Sequence, residues 1–370
     1  MSVSLKKNHK KRILFFPFDL MSHYLRCLVL AKQYPDDEVL FAHSEKYNSF
    51  VNAAGYSTFK VETFDSIKVM ADVVKFNFLW LNEQDIERVF KSQVNAIQNL
   101  KPDFVIGDTS PTLKMAAEYT RKHYIALMNG YMSKYYKNVR CLSKTHSIYP
   151  YLSILPNALT NPIIKIAENI SFSRIHTPFK KLRIKYSLIQ IPNYLNEIEG
   201  DENLICDYDY LFPQKKLPNN YRIIGSLKYS DKSTENEIIS LLNPNKKTIC
   251  ICMGSSGNWE NLSFISNPKY NRYNVVTAGD TQNIIKGEHV IAKRFVNLET
   301  ILPYGCVLIC HGGNGTIYHG IDNKIPILCL TEHFEQEWNV QQLEQLKLGI
   351  SINTNPQKKL DGFLVTQNIN

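Results

Sequence analysis

The chain reads as an α/β protein built from two doubly wound, Rossmann-like units. Three observations predict this. At 370 residues it exceeds one compact core of ordinary size and suits two domains. Continuous apolar runs such as "RILFFPF" and "CVLIC" match strands buried on both faces of a parallel sheet. Between such runs, in both halves, lie segments with apolar residues three and four apart. Strand–helix alternation of this kind implies a parallel sheet with helices on its faces.

Taken in order, the first strand is "RILFFPF". Ser22 then offers an N-cap for a helix over "YLRCLVLAKQY". "EVLFAH" is the second strand, and "DIERVFKSQVNAIQNLK" has the spacing of an amphipathic helix. "PDFVIGD" is a buried strand ending at Asp108, followed by "SPTLKMAAEYTRKH" as a helix with Pro111 in its first turn. "YIALMNG" closes this alternation. Residues 138–215, rich in Pro, Asn and Tyr, are expected to hold helices and loops that shape a pocket. "YRIIGSLKYSDKST" is a strand running into a polar linker. Beyond it come the strands "KTICICMG", "NVVTAG", "EHVIAKRF", "CVLICHGG", "IPILCL" and "GISI", with helices between several of them. The expected domains are residues 1–220 and 221–370.

Hydrophobic content of 44% and charged content of 21% describe a soluble globular chain. The net charge of +9 favours an anionic ligand, nucleic acid or an acidic membrane surface without choosing among them. Basic residues are scattered apart from Lys6, Lys7, Lys10, Lys11 and Arg12, and no nucleic-acid partner is expected. That cluster reads as a solvated terminus, with peripheral contact to an anionic membrane as the alternative. The eight cysteines form no C-x-x-C pair and read as reduced structural thiols of a cytoplasmic protein, without zinc. No apolar run approaches the roughly 18–20 residues of a spanning helix. Pro150, Pro156 and Pro162 are expected to break the apolar segment 148–167. The pattern specifies no oligomeric state.

Chemistry concentrates in "CVLICHGGNGTIYHGIDNKIP", where a buried strand enters a Gly-rich turn and then a helix. Glycine lets the backbone approach a ligand, and the new helix presents free N–H groups and a positive dipole end, a seat suited to a diphosphate. His311 can donate to a phosphate or sugar oxygen, and Asn314 and Thr316 add polar contacts. The alternative is a tight strand–helix turn with no ligand. A second loop, "MGSSGN" at 253–258, follows the strand "KTICIC" and brings Gly254, Ser255 and Ser256. Downstream, "IPILCLTEHFEQEWN" places Glu332, Glu335 and Gln336 after an apolar strand, where they suit sugar hydroxyls or a solvated helix start.

With these motifs in order, the C-terminal half resembles the UDP-glycosyltransferase superfamily. Its signature is a Trp-Val-Pro-Gln stretch, a His-x-Gly-x-x-Ser/Thr turn, Gly-x-Pro, and Asp/Glu-Gln with a following Asn. This chain has "FVNLETIL" at 295–302, "HGGNGT" at 311–316, "KIP" at 324–326 and "EQEWN" at 335–339. The resemblance implies a GT-B fold, two Rossmann-like doubly wound domains facing a cleft, with the acceptor in the first and the nucleotide sugar in the second. It puts Phe295 where the family's Trp stacks on the base. Gly313, Asn314, Gly315 and Thr316 fall at the diphosphate turn beside His311, and Glu335 and Gln336 at the donor sugar. Leu298 replaces a Gln that often reads the base, and Lys324 replaces a Gly.

The N-terminal half resembles the same family through "FPFDLMSHYLRCLVLAKQY", with His23 in the place of the general base. Asp108 takes the place of the aspartate that orients that imidazole. Ser22 stands where the family has Gly, and Cys27 where Pro is common. The implied activity is an inverting hexosyl transfer from a UDP-sugar to an acceptor hydroxyl, needing neither cofactor nor metal. The aromatic residues Phe76, Phe78, Trp80, Tyr131, Tyr135 and Tyr136 point to a hydrophobic acceptor, a small molecule or lipid, or else to plain core. A nucleotide-sugar epimerase and a non-catalytic binder of nucleotide sugar or glycan are the alternatives. About 30 residues follow "EQEWN", and "NPQKKLDGFLVTQNIN" is not expected to supply the family's closing helices, so the second domain reads as truncated.

Overall fold

Two parallel sheets organise the chain, and a computed structural model describes residues 10–366 apart from 145, 147, 231–234, 255–256, 280 and 282–283. One unit comprises residues up to Val69, Phe78–Val139 and Asn161–Leu227; the other comprises Met70–Asn77, Arg140–Thr160 and the chain from Lys228 onward. Both are α/β units of Rossmann-like, doubly wound topology.

The first sheet uses β1 (Arg12–Pro17), β2 (Glu38–Ala42), β3 (Ser57–Phe59), β4 (Phe104–Asp108), β5 (His123–Met128), β6 (Glu202–Ile205) and β7 (Tyr221–Ile223). They run parallel in the order β3-β2-β1-β4-β5-β6-β7. The helices in this stretch of chain are α1 (Met21–Ala31), α2 (Asn48–Ala53), α3 (Ser66–Val74), α4 (Glu83–Leu100), α5 (Leu113–Thr120), α6 (Tyr149–Leu152), α7 (Asn157–Ile175), α8 (Thr177–Lys185) and α9 (Tyr194–Glu197). Register places Pro17 opposite Asp108, so the Asp108 carboxylate stands level with the end of β1, just before α1 begins.

The remaining elements are α10 (Glu235–Leu241), β8 (Thr248–Cys252), β9 (Asn274–Ala278), β10 (Val290–Lys293), α11 (Leu298–Ile301), β11 (Gly305–Cys310), α12 (Asn314–Asp322), β12 (Ile327–Cys329), α13 (Phe334–Gln345), β13 (Gly349–Ser351) and α14 (Pro356–Thr366). The second sheet runs β10-β9-β8-β11-β12-β13, again parallel. Cys252 pairs with Cys310, so the loops leaving β8 and β11 emerge side by side.

Three local expectations change. Leu20, not Ser22, is the N-cap of α1, and no side chain caps it; Ser22 lies inside the first turn. Pro111 precedes α5, which starts only at Leu113. Pro162 sits within α7 without ending it. That proline is exposed, so solvent can satisfy the carbonyl its missing N–H would have bonded. The C-terminal segment forms α14, and its Leu360 and Leu364 are buried in the second unit's core beside Leu262 and Trp259. Lys6 and Lys7 lie outside the described residues.

Candidate active site

In the first unit the candidate residues gather where the strand order reverses. β1 has β2 on one side and β4 on the other, and open α/β sheets bind ligands beyond the carboxyl ends of strands at such a switch. His23 stands in the first turn of α1 and Asp108 ends β4. Their side chains meet, with His23 Nδ1 3.0 Å from Asp108 Oδ1. Asp108 is wholly buried, whereas the His23 ring keeps 14% of its surface. With Nδ1–H donating to the carboxylate, Nε2 is left to accept a proton.

A third member was not singled out from the sequence. Arg26 donates from Nε and Nη2 to the two oxygens of Asp108, and from Nη1 to Asn129 Oδ1. Its Nη2 also lies 3.1 Å from His23 Nδ1. Burial alone would raise the Asp108 carboxyl, but the Arg26 guanidinium and then His23 outweigh it and hold the group below its ordinary value. Asp108 is therefore an ion whose charge is shared between ring and guanidinium. The signal was present: His23 and Arg26 are three apart on one helix, and a cation inside the apolar stripe of "YLRCLVL" must find a partner when buried.

Aromatic side chains flank the histidine. The Phe18 ring lies 5.9 Å from His23 and 5.8 Å from Trp80, and Phe64 meets Trp80 edge-on at 5.1 Å. Of the aromatics marked in the sequence, Trp80 joins this wall. Tyr131 and Tyr136 are buried core residues, and Phe76 packs at 5.1 Å against Phe334 in the second unit.

In the second unit the switch lies between β8 and β11, and the glycine loops leave these two strands. The His311 ring occupies the gap between them. A Cβ on Gly254 would come 2.6 Å from it and one on Gly313 2.4 Å, so both loops need glycine to close around the ring. Gly254 also holds a left-handed φ of +59°. Gly315 differs: a Cβ there meets nothing within 4 Å. The first turn of α12 presents its N–H groups at this point. Burial holds the His311 pKa down to about 4, offset in part by a hydrogen bond to the Cys252 backbone, so the ring is neutral at neutral pH. His333 is lower still, at about 3, through burial and then the neighbouring His311. Ser255 and Ser256 lie outside the described residues.

Thr316 is buried in the first turn of α12, its Oγ1 3.8 Å from Cys252 Sγ. Asn314 Nδ2 donates to Tyr318 Oη at 3.0 Å. Asn339 ties the turn from α13, donating to the Gly312 carbonyl and to Asn314 Oδ1, each at 2.7 Å. Glu335 is part-exposed in the first turn of α13; Gln336 is 1% exposed and its Oε1 accepts the Glu332 N–H at 2.7 Å. Phe295 is half-buried, edge-on to Tyr229 at 6.3 Å. Among the described residues no group of three or more His, Cys, Asp or Glu is placed to hold a metal ion. The Asp207–Tyr208–Asp209 run has Asp-x-Asp spacing, but Asp207 is buried and accepts the Gly130 N–H.

Comparison with known proteins finds chains similar to this one over most of its length. No family model matches the chain. A PGL/p-HBAD biosynthesis glycosyltransferase of Mycobacterium tuberculosis is 23% identical over 353 residues, covering 93% of this chain and 81% of that protein. A PGL/p-HBAD biosynthesis rhamnosyltransferase of Mycobacterium bovis is 20% identical over 353 residues, covering 93% and 77%. An inactive PGL/p-HBAD biosynthesis glycosyltransferase, also of Mycobacterium bovis, is 24% identical over 263 residues, 70% of each chain. Among solved structures, the calicheamicin glycosyltransferase CalG4 superposes with TM-score 0.66 over 93% of this chain and 86% of its own, at 15% identity. The spinosyn rhamnosyltransferase SpnG gives 0.66 over 95% and 89%, at 15% identity. SsfS6 from Streptomyces sp. SF2575, solved with thymidine diphosphate, gives 0.62 over 92% and 88%, at 16% identity.

The fold is GT-B, and the chain is similar along its length to family-one-like glycosyltransferases. Within this family's motif order, Asn339 fills the position of the Asn that follows Glu-Gln. Sequence reasoning quoted that residue and assigned it no role; its two hydrogen bonds show that it braces the Gly-rich turn. Lys324, standing where the family has Gly, holds a left-handed φ of +55°.

Proposed function

We propose that this glycosyltransferase-family protein moves a sugar from a pyrimidine nucleoside-diphosphate donor to a hydroxyl of a hydrophobic acceptor, with inversion. The observation that carries the reading is the coincidence of chemistry with topology. His23 and Asp108 flank the strand switch of one unit, and the two glycine loops flank the switch of the other. The first unit is the acceptor domain and the second the donor domain. His23 Nε2 takes the acceptor's hydroxyl proton as the oxygen attacks the anomeric carbon. The bond from that carbon to the diphosphate oxygen breaks, and the nucleoside diphosphate leaves with the charge. Amides at the start of α12, with neutral His311 as an N–H donor, stabilise that charge. Glu335 holds sugar hydroxyls, while the Gln336 carbonyl is already committed to Glu332. The sequence pattern favours uridine as the base; thymidine diphosphate in SsfS6 supports thymidine as a partner for Phe295.

A second reading, binding without transfer, is favoured by one observation: the Arg26 grip on Asp108 takes up charge that a catalytic imidazolium would use.

Gly315→Ala tests the donor seat. Its Cβ meets open space in the free protein, so thermal stability should hold or rise slightly. Thermal shift against UDP-sugars and dTDP-sugars should nevertheless show weaker binding, roughly tenfold or more, because the methyl group occupies the diphosphate position. Unchanged affinity sinks the seat. His23→Ala should abolish transfer and spare donor binding; a wild-type rate in that variant removes His23 as the base.

A further inference from the structure

Helix α7 carries an apolar face that its own fold does not cover. On its inner side Phe172 is buried and stacks toward Tyr194 at 6.4 Å, anchoring the helix to α9. Facing away are Ile163, Ile166 and Ile170, which are 47%, 62% and 48% exposed. At 100° per residue they fall within about 60° of one another around the axis, a continuous stripe where a solvated helix would carry polar side chains. Arg174 follows Ile170 by one turn. Together with Asn169, Ser173 and Thr177 these two residues line one shallow, open hollow.

Charge identifies the occupant. Residues 161–185 carry Lys165, Arg174, Lys180, Lys181, Arg183 and Lys185 against Glu168 as the single acid. Arg183 is buried against Glu197, while Lys181 and Lys185 pair with Glu83 and Glu87. Arg174 and Lys180 stand exposed, and Ile184, one turn after Lys180 on α8, is 63% exposed. An isoleucine stripe that runs into a hollow holding a guanidinium and two hydroxyls matches a molecule with apolar chains below a phosphodiester.

We propose that the outer face of α7 docks the protein on an anionic lipid surface. The isoleucines enter the boundary between headgroups and acyl chains. Arg174, with Ser173 and Thr177, donates to headgroup phosphate oxygens. This surface is independent of the transfer reaction proposed above.

Flotation of the full-chain protein tests it, with phosphatidylcholine vesicles and with vesicles containing about one-quarter phosphatidylglycerol. The expected result is flotation with the anionic vesicles only, weakened by salt. Ile166→Asn/Ile170→Asn and, separately, Arg174→Glu should each weaken binding roughly tenfold or more. Because these side chains are exposed, the variants should keep the wild-type melting temperature and nucleotide-sugar response, which separates lost docking from lost folding or a failed donor reading. Absence of flotation by the wild type, or variants that float as it does, overturns the proposal. So does a wild-type dimer in sedimentation that Ile166→Asn/Ile170→Asn converts to monomer without any lipid binding, since the face then covers a second copy of the chain.

Discussion

At the scale of the residue, the buried Arg26–Asp108 pair decides how the candidate base behaves. A fully buried carboxylate is expensive unless paired, and breaking such a pair by removing one partner costs about 3–5 kcal/mol. Arg26→Met should therefore lower stability in denaturant unfolding by about that amount. The double variant Arg26→Met/Asp108→Asn should recover much of the loss, because no orphaned charge remains. If the double variant is as unstable as the sum of the singles, the two side chains do not act as a unit. Loss of Arg26 would also return the whole Asp108 charge to His23. His23 was legible as a family position, whereas Arg26 looked like one more polar residue in a helix. Only the packing of α1 on β4 reveals which charged group it meets.

At the scale of the element, helix ends and turns carry the function, and they are where sequence reasoning slipped. Ser22 has the right chemistry for a cap, yet α1 begins one residue earlier at Met21, because the chain leaving β1 turns through Leu20 in extended conformation. Pro162 has the right chemistry for a breaker, yet α7 runs through it at an exposed position. Most strands were more legible, being apolar runs between turn residues. However, β3 (Ser57–Phe59) and β6 (Glu202–Ile205), the latter within a stretch expected to hold helices and loops, were not anticipated. After α12 the chain reverses through Asn323 and Lys324, and Lys324 pays for its left-handed backbone. Lys324→Gly should stabilise the protein by about 1 kcal/mol in chemical denaturation. A destabilised variant would mean that the lysine side chain earns its place by a contact.

At the scale of the whole molecule, three histidines in poorly solvated positions make stability depend on acid. His311 and His319 are held down to about 4 and His333 to about 3, in each case first by burial, against an ordinary value of 6.5. Their folded values lie below their unfolded ones, so protonation favours the unfolded chain. The stability they carry is complete above 6.5 and is lost as pH falls toward 4. Each can contribute at most about 1.4 kcal/mol per pH unit in that window. Melting temperature should therefore fall steadily from pH 7 to pH 4.5, and a nucleotide-sugar ligand should blunt the fall if it covers His311. A flat profile would show that these rings are solvated in the folded protein. Among the described residues no helix is long and apolar enough to cross a membrane.

The amino-acid sequence by itself determined the two α/β units with parallel sheets, and the glycine, histidine and acidic positions of the family pattern. These follow from local periodicity and from residue types whose chemistry is the same wherever they sit. Only the tertiary structure decided that Arg26 shares Asp108 with His23. It alone showed that Gly254 and Gly313 close around one neutral imidazole, that Asn339 braces the turn, and that α7 leaves an isoleucine stripe uncovered. Each of these is a meeting, or a failure to meet, between residues distant in the chain. Burial and register set it, and a linear pattern does not encode either directly.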